Sequence, residues 1–170
     1  MRIQSSVTYS FEVEKSRFIG FLFRCFSPDE AKAWLEDIRH AHPDATHVVH
    51  AYRIGDTIAH SSDDREPSGN AGVPIREALE KAGLTDVIAI VVRYFGGVKL
   101  GAGGLTRAYT KACAGDIAKA TITEPRRLHE YSVTCDYASL NRLSTNVQNT
   151  FTLVNVEYAV QPTIVFRCGD

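Results

Sequence analysis

The alternation of apolar and polar positions divides the chain into elements before any single residue is considered. Val7 to Glu14 alternates loosely, and Phe18 to Phe26 is rich in aromatic residues with Gly20 inside it. Both predict strands, the second ending near Arg24 to Phe26, with Lys15, Ser16 and Arg17 as a basic turn between them. Ser27-Pro28-Asp29-Glu30 then supplies an N-cap, a proline at the first helical position and a capping-box glutamate. Ala31, Trp34, Leu35 and Ile38 follow at the spacing of one helix face, which ends before Pro43. Trp34 lies on that stripe and is expected in the core. Thr46 to Ile54 alternates as a strand, and Gly55-Asp56 turns the chain into Thr57 to His60. Pro74, Ile75, Ala78, Leu79 and Ala82 mark a second amphipathic helix, beginning near Ala71 and stopped by Gly83.

From Val87 to Val92 the chain is continuously apolar, which predicts a strand covered on both faces or nearly so. Arg93 and Tyr94 end it, a glycine-rich loop follows, and an amphipathic stretch opens at Leu105. Leu105, Ala108, Tyr109, Ala112, Ile117 and Ala120 predict a helix of about four turns. Thr121 to Arg127 carries a proline and a charge cluster and is the candidate linker. Beyond it, His129 to Asp136 alternates as a strand, and Leu140, Leu143 and Val147 mark a short helix. Thr150 to Ala159 and Thr163 to Cys168 are two further strands around Pro162. The chain is therefore α+β. A β-α-β-β unit by itself exposes an apolar sheet face, which pairing with the first domain, further chain or a homodimer would cover.

At 170 residues the chain can bury a substantial core, and its 44% hydrophobic and 23% charged content is ordinary for a globular protein. A net charge of −1 removes any argument from overall basicity, so nucleic-acid binding would rest on a patch. Cys25, Cys113, Cys135 and Cys168 are scattered, with no C-x-x-C pair, which predicts reduced thiols. No apolar run approaches the ~20 residues of a membrane span, and the N-terminus lacks the apolar core of a targeting peptide. A cytoplasmic protein is expected.

Candidate chemistry concentrates in two stretches. Gly96, Gly97, Gly101, Gly103 and Gly104 fall between Arg93 and Arg107, and Arg93, Lys99, Arg107 and Lys111 add positive charge with no acid among them. Glycine amides near a helix start, with local cations, suit an anion. The same glycines equally suit a tight crossover passing close to a sheet. Neither G-x-x-x-x-G-K-[ST] nor G-x-G-x-x-G occurs, since Gly101-Ala102-Gly103 is followed by Thr106 where the latter requires glycine. Tyr94 or Phe95 would be available to stack on a base. The second stretch, SSDDREPSGNAG, holds Asp63, Asp64 and Glu66, followed by Pro67, Ser68 and Gly69. Three carboxylates would serve acid/base chemistry or Mg²⁺, or cap the helix after them, and the absence of an adjacent nucleophile favours the cap. His40, His42, His47, His50 and His60 form no ligand spacing, and His47 and His50 fall on opposite strand faces, so no metal is expected.

Four of these stretches are familiar together: EKSRFIGFL, DATHVVHAYRIG, SSDDREPSGNAGVPI and VVRYFGGVKLGAGGLTRAY. In this order, over about the first 120 residues, they resemble the N-terminal domain of the IMPACT family, in its bacterial YigZ-type branch. The resemblance implies a ribosomal protein S5 domain 2-like α/β sandwich over residues 1–122. Residues 127–170 would be a truncated ferredoxin-like, elongation-factor-like domain. It places the family's signatures on Asp63, Asp64, Glu66, Pro67, Ser68, Gly69, Ala71 and Gly72, and on Arg93, Tyr94, Gly96, Gly97, Lys99, Gly101, Gly103, Gly104 and Arg107. Arg65 stands where glycine is typical, Asn70 where threonine is typical, and Val73 where a basic residue is frequent. Arg65 argues against a positive-φ turn there. Eukaryotic members regulate translation through a partner that engages an RWD domain, which this chain lacks, so that partner is not carried over. The leading expectation is a non-catalytic, translation-associated module binding RNA or the ribosome, with no cofactor. Its rivals are an enzyme acting on a phosphorylated or anionic small molecule, and a regulator that binds a protein partner.

Overall fold

The computed structural model describes residues 1–124 and 128–169, so part of the expected linker at Thr121 to Arg127 lies outside the described residues. The chain divides into two compact units, Met1–Glu124 and Pro125–Asp170.

The first unit runs β1 (Arg2–Ile3), β2 (Val7–Val13), β3 (Ser16–Arg24), α1 (Pro28–Ala41), β4 (His47–Ile54) and β5 (Ile58–Ser62). It continues with α2 (Gly72–Lys81), β6 (Val87–Tyr94), α3 (Gly101–Lys119) and β7 (Ile122–Thr123). Five strands form an antiparallel sheet in the order β2-β3-β6-β4-β5, while β1 pairs with β7. β6 is the middle strand and is buried from Val87 to Arg93. Its continuous apolar run has a simple cause: both faces are roofed by helices. Val87, Ala89 and Val91 pack with Ile75 and Leu79 of α2 and Leu105 and Tyr109 of α3. Ile88, Ile90 and Val92 pack with Ala31 and Ile38 of α1. Each fully buried valine, isoleucine or leucine among them contributes about 1.5–3 kcal/mol.

Local chemistry sets most of the boundaries. Ser27 Oγ accepts the Glu30 amide at 3.2 Å, and Glu30 reaches back to the Phe26 amide at 2.8 Å, one residue earlier than a standard capping box. Trp34 is only partly buried: it stacks on Phe23 at 4.2 Å and donates to the Arg24 carbonyl, covering the edge of the α1 layer. The β2–β3 turn is Glu14-Lys15, with φ of 46° and 61°, and not Lys15 to Arg17. Two left-handed residues match the strand twist, so Ser16 and Arg17 join the ladder opposite Val13 and Glu12. The β1–β7 pair is two residues long on each side, too short to carry a hydrophobic period.

The second unit contains β8 (Leu128–Thr134), α4 (Tyr137–Thr150), β9 (Thr152–Glu157) and β10 (Thr163–Gly169). Its sheet is antiparallel in the order β8-β10-β9. Asp136 caps α4 by accepting the Ser139 amide at 2.7 Å. Leu140 and Ile164 are buried, whereas Leu128, Tyr131 and Val133 of β8 are exposed. Among the described residues no helix is long and apolar enough to cross a membrane.

Candidate functional site

The glycine-rich segment is a short crossover into α3, and its glycines do different work. Gly96 lies against the β2–β3 turn: a Cβ there would overlap the Lys15 carbonyl, and its amide donates to Ser16 Oγ at 3.3 Å. Gly97 and Gly101 take φ of 87° and 68°, left-handed values that favour glycine. Gly103 and Gly104 lie inside the first turn of α3, which starts at Gly101 and not at Leu105. Helical hydrogen bonding thus extends through glycines whose composition suggests a loop. No side chain caps α3 and no acid occupies its first turn. Its leading amides and positive dipole end are left to solvent or to an anion.

The four cations of this segment separate. Lys99, Arg107 and Lys111 are exposed and line one groove of about 430 Å³ with Phe11, Val13 and Leu100, Glu14 being its acid. Lys111 Nζ stands 4.5 Å from the Phe11 ring centre. Arg93 does not join them. It shares the strand face of Val91 and points beneath α3, where it is 5% exposed. One guanidinium nitrogen donates to Glu66 Oε1 at 2.6 Å and the other to Ser16 Oγ at 3.4 Å. The Phe18 and Phe95 rings lie 5.5 and 5.4 Å from its Cζ. Arg93 is therefore an internal counter-ion, not a surface phosphate contact. Tyr94 points to the opposite face, where its hydroxyl meets His42 Nδ1 at 2.8 Å and its ring packs on the α1 cluster. Phe95, 46% exposed, is the ring left available for stacking.

In the acidic loop the three carboxylates also part. Asp63 accepts the amides of Gly69, Ala71 and Gly72 at 2.9, 3.1 and 2.8 Å, which closes the loop and caps α2. Asp64 accepts the Val48 amide at 2.7 Å and pairs with Arg39 at 3.2 Å, while its carbonyl faces His47 Nδ1 at 2.8 Å. Asp64 and Arg65 take φ of 40° and 69°, so the left-handed turn is kept although Arg65 replaces glycine. The bonds of Asp63 and Asp64 hold the turn, and the Arg65 side chain is exposed. The Ser68 carbonyl accepts from Asn70 Nδ2 at 3.3 Å, and Gly69 has a φ of 76°. Glu66 alone goes inward. Besides Arg93, the Tyr109 hydroxyl donates to its Oε1 at 2.7 Å, and His47 Nε2 lies 3.7 Å from the same oxygen. Burial first, then the bond to Glu66, pushes the Tyr109 phenol far above its ordinary range, so it remains a donor. Among the described residues no group of three or more His, Cys, Asp or Glu is placed to hold a metal ion.

The two stretches meet at a second pocket of about 420 Å³. Glu66, Arg93 and Lys99 are its charged groups, the His47 imidazole lies beside them, Pro67, Phe95, Leu100 and Leu105 are its apolar walls, and Gly101 and Ala102 bring the start of α3 to it. Lys99 and Leu100 line both pockets. Ser16, His47, Tyr109 and Phe11 were not legible as site residues. The signal for His47 is its register opposite Arg93 across β4 and β6, a pairing that only the folded sheet reveals.

Comparison with known proteins places the chain in a family. A family model described as "Impact N-terminal domain" matches residues 14–117. "IMPACT family member YvyE" of Bacillus subtilis is 41% identical over 150 residues, 86% of this chain and 69% of the relative. "IMPACT family member YigZ" of Escherichia coli is 38% identical over 138 residues, 79% of this chain and 68% of the relative. A solved structure, "Crystal structure of an hypothetical protein", superposes with a TM-score of 0.72 at 32% identity, over 97% of this chain and 82% of its own. With the signature loops joined at Glu66 and Arg93 and relatives of this similarity along most of its length, the chain belongs to the IMPACT family, among its YigZ-type members.

Proposed function

We propose that this protein is a non-catalytic, translation-associated module that binds RNA or the ribosome through the groove lined by Lys99, Arg107 and Lys111. One observation carries the reading: three exposed cations share one groove beside the uncapped start of α3. Exposed positive charge and free backbone amides are both groups that hold phosphate. Gly97, Gly101, Gly103 and Gly104 serve phosphate binding by letting the helix begin without a competing side chain, whereas the amide of Gly96 is taken by Ser16. Arg93 and Glu66 then act as the rivet between the two loops. We further read the first unit as an S5 domain 2-like sandwich and the second as a ferredoxin-like β-α-β-β half, from their strand orders.

The test is co-sedimentation with purified ribosomes and with free RNA across a salt series. Binding should fall steeply with salt. The Lys99→Ala/Arg107→Ala protein should bind more weakly, with a slope of log affinity against log salt shallower by about 1.5. Both side chains are exposed, so the fold is expected to survive. An unchanged slope would remove the phosphate role. A second reading, an enzyme acting on an anionic small molecule, is favoured by the meeting of both loops at one pocket. Asp63 and Asp64 are occupied by capping and pairing, which leaves Glu66 as its acid/base group. Absence of RNA and ribosome binding at low salt would favour that reading.

A further inference from the structure

We infer that the pocket between Glu66 and Phe95 receives one splayed nucleobase of the strand whose phosphates lie along Lys99, Arg107 and Lys111. This deepens the RNA reading above and rests on it. The two pockets share Lys99 and Leu100, so a backbone held in the basic groove runs past the mouth of the second pocket. Its walls suit a flat ring. Phe95 is 46% exposed, and Pro67, Leu100 and Leu105 supply further apolar surface. The Arg93 guanidinium, 5.4 Å from the Phe95 ring centre, steadies that ring from below.

The polar end of the pocket is more selective. Among the described residues every side-chain partner of Glu66 falls on Oε1, where Arg93 and Tyr109 donate at 2.6 and 2.7 Å. Among the described residues Oε2 has no hydrogen-bond partner, and Glu66 lines the pocket, which leaves this oxygen to accept from a group bound there. A bare phosphate would meet this carboxylate unfavourably. A cation would meet Lys99, Arg93 and the positive end of α3. A neutral planar ring with an N–H donor, attached to an anion, satisfies both ends. That is a nucleotide whose base turns an exocyclic amino group to Glu66 while its phosphate stays at Lys99.

The experiment is fluorescence anisotropy with labelled single-stranded RNA decamers of equal phosphate number, at one fixed salt concentration. One carries adenine, one carries purine riboside (adenine without its amino group), and one carries abasic riboses. The adenine strand should bind about ten-fold more tightly than the abasic strand, with the purine riboside strand between them. Phe95→Ala should bring the adenine strand close to abasic affinity without changing the salt slope. Glu66→Gln should erase the difference between adenine and purine riboside. Phe95 is exposed, so its variant remains informative if Glu66→Gln, checked by thermal melting, does not fold. Equal binding of adenine and abasic strands would overturn the base pocket and leave the phosphate reading standing. Equal binding of adenine and purine riboside would overturn the Glu66 contact. No binding of any strand at low salt would overturn both this inference and the function on which it rests.

Discussion

Asp116 of α3 is 0% exposed, and among the described residues neither of its carboxylate oxygens has a well-formed hydrogen bond, the Tyr9 backbone making only a loose contact. It lies directly over Gly20 of β3, where a Cβ would overlap Oδ2, so a glycine inside a strand is explained by a carboxyl group above it. Burial raises its pKa to about 8, tempered by the Tyr9 backbone and Lys119. The group holds its proton more tightly folded than unfolded, where the ordinary value is 3.8. Its contribution is therefore full below about pH 4 and is lost as pH rises toward about 8. Asp116→Asn should flatten that dependence and gain stability over the wild type, by several kcal/mol at pH 8.5 and little at pH 4. Urea unfolding at the two pH values checks it; parallel profiles would show that the buried carboxyl does not titrate in this way. Nothing in the sequence marks Asp116, because an acid on a helix is solvated unless a neighbouring strand closes over it.

At the scale of elements, the loop between β5 and α2 is held by one side chain. Asp63 takes three amides, two of them at the start of α2, where the Ala71 side chain offers no cap. Asp63→Ala should cost about 2 kcal/mol, the upper range for loss of a helix cap, read as a lower denaturation midpoint with an unchanged m-value. A near-neutral result would show that water replaces the carboxylate. The same loop shows where sequence patterns succeed and where they stop. The start of α2 near Ala71 is legible from its apolar spacing, and capping is one use that three acids before a helix suggest. Which acid caps and which turns inward is not legible, since Arg93 and Tyr109, the partners that draw Glu66 inward, are distant in sequence. Likewise α3 was legible by its apolar face from Leu105, but not its first turn. Glycine propensity argues against helix there, and tertiary packing of Leu105 and Tyr109 overrides it.

At the scale of the molecule, the first unit carries its own core. Both hydrophobic clusters draw every member from residues 3–122, and the pairing of β1 with β7 ties its beginning to its end. The terminal amine adds a bond to the Gly83 carbonyl at 2.9 Å. A fragment spanning Met1–Glu124 should therefore unfold cooperatively in a thermal melt and keep the salt dependence of RNA binding. A non-cooperative melt would mean that the remaining residues complete its core. Period-two and period-3.6 patterns, caps and turn residues determined most of the longer elements of this protein, because each is a property of neighbours along the chain. The tertiary structure alone decided that Arg93 faces Glu66, 27 residues away, and that Lys99, Arg107 and Lys111 share a groove without it. The physical reason is that charge pairing and burial depend on strand register and helix placement, which bring together residues that no local period relates.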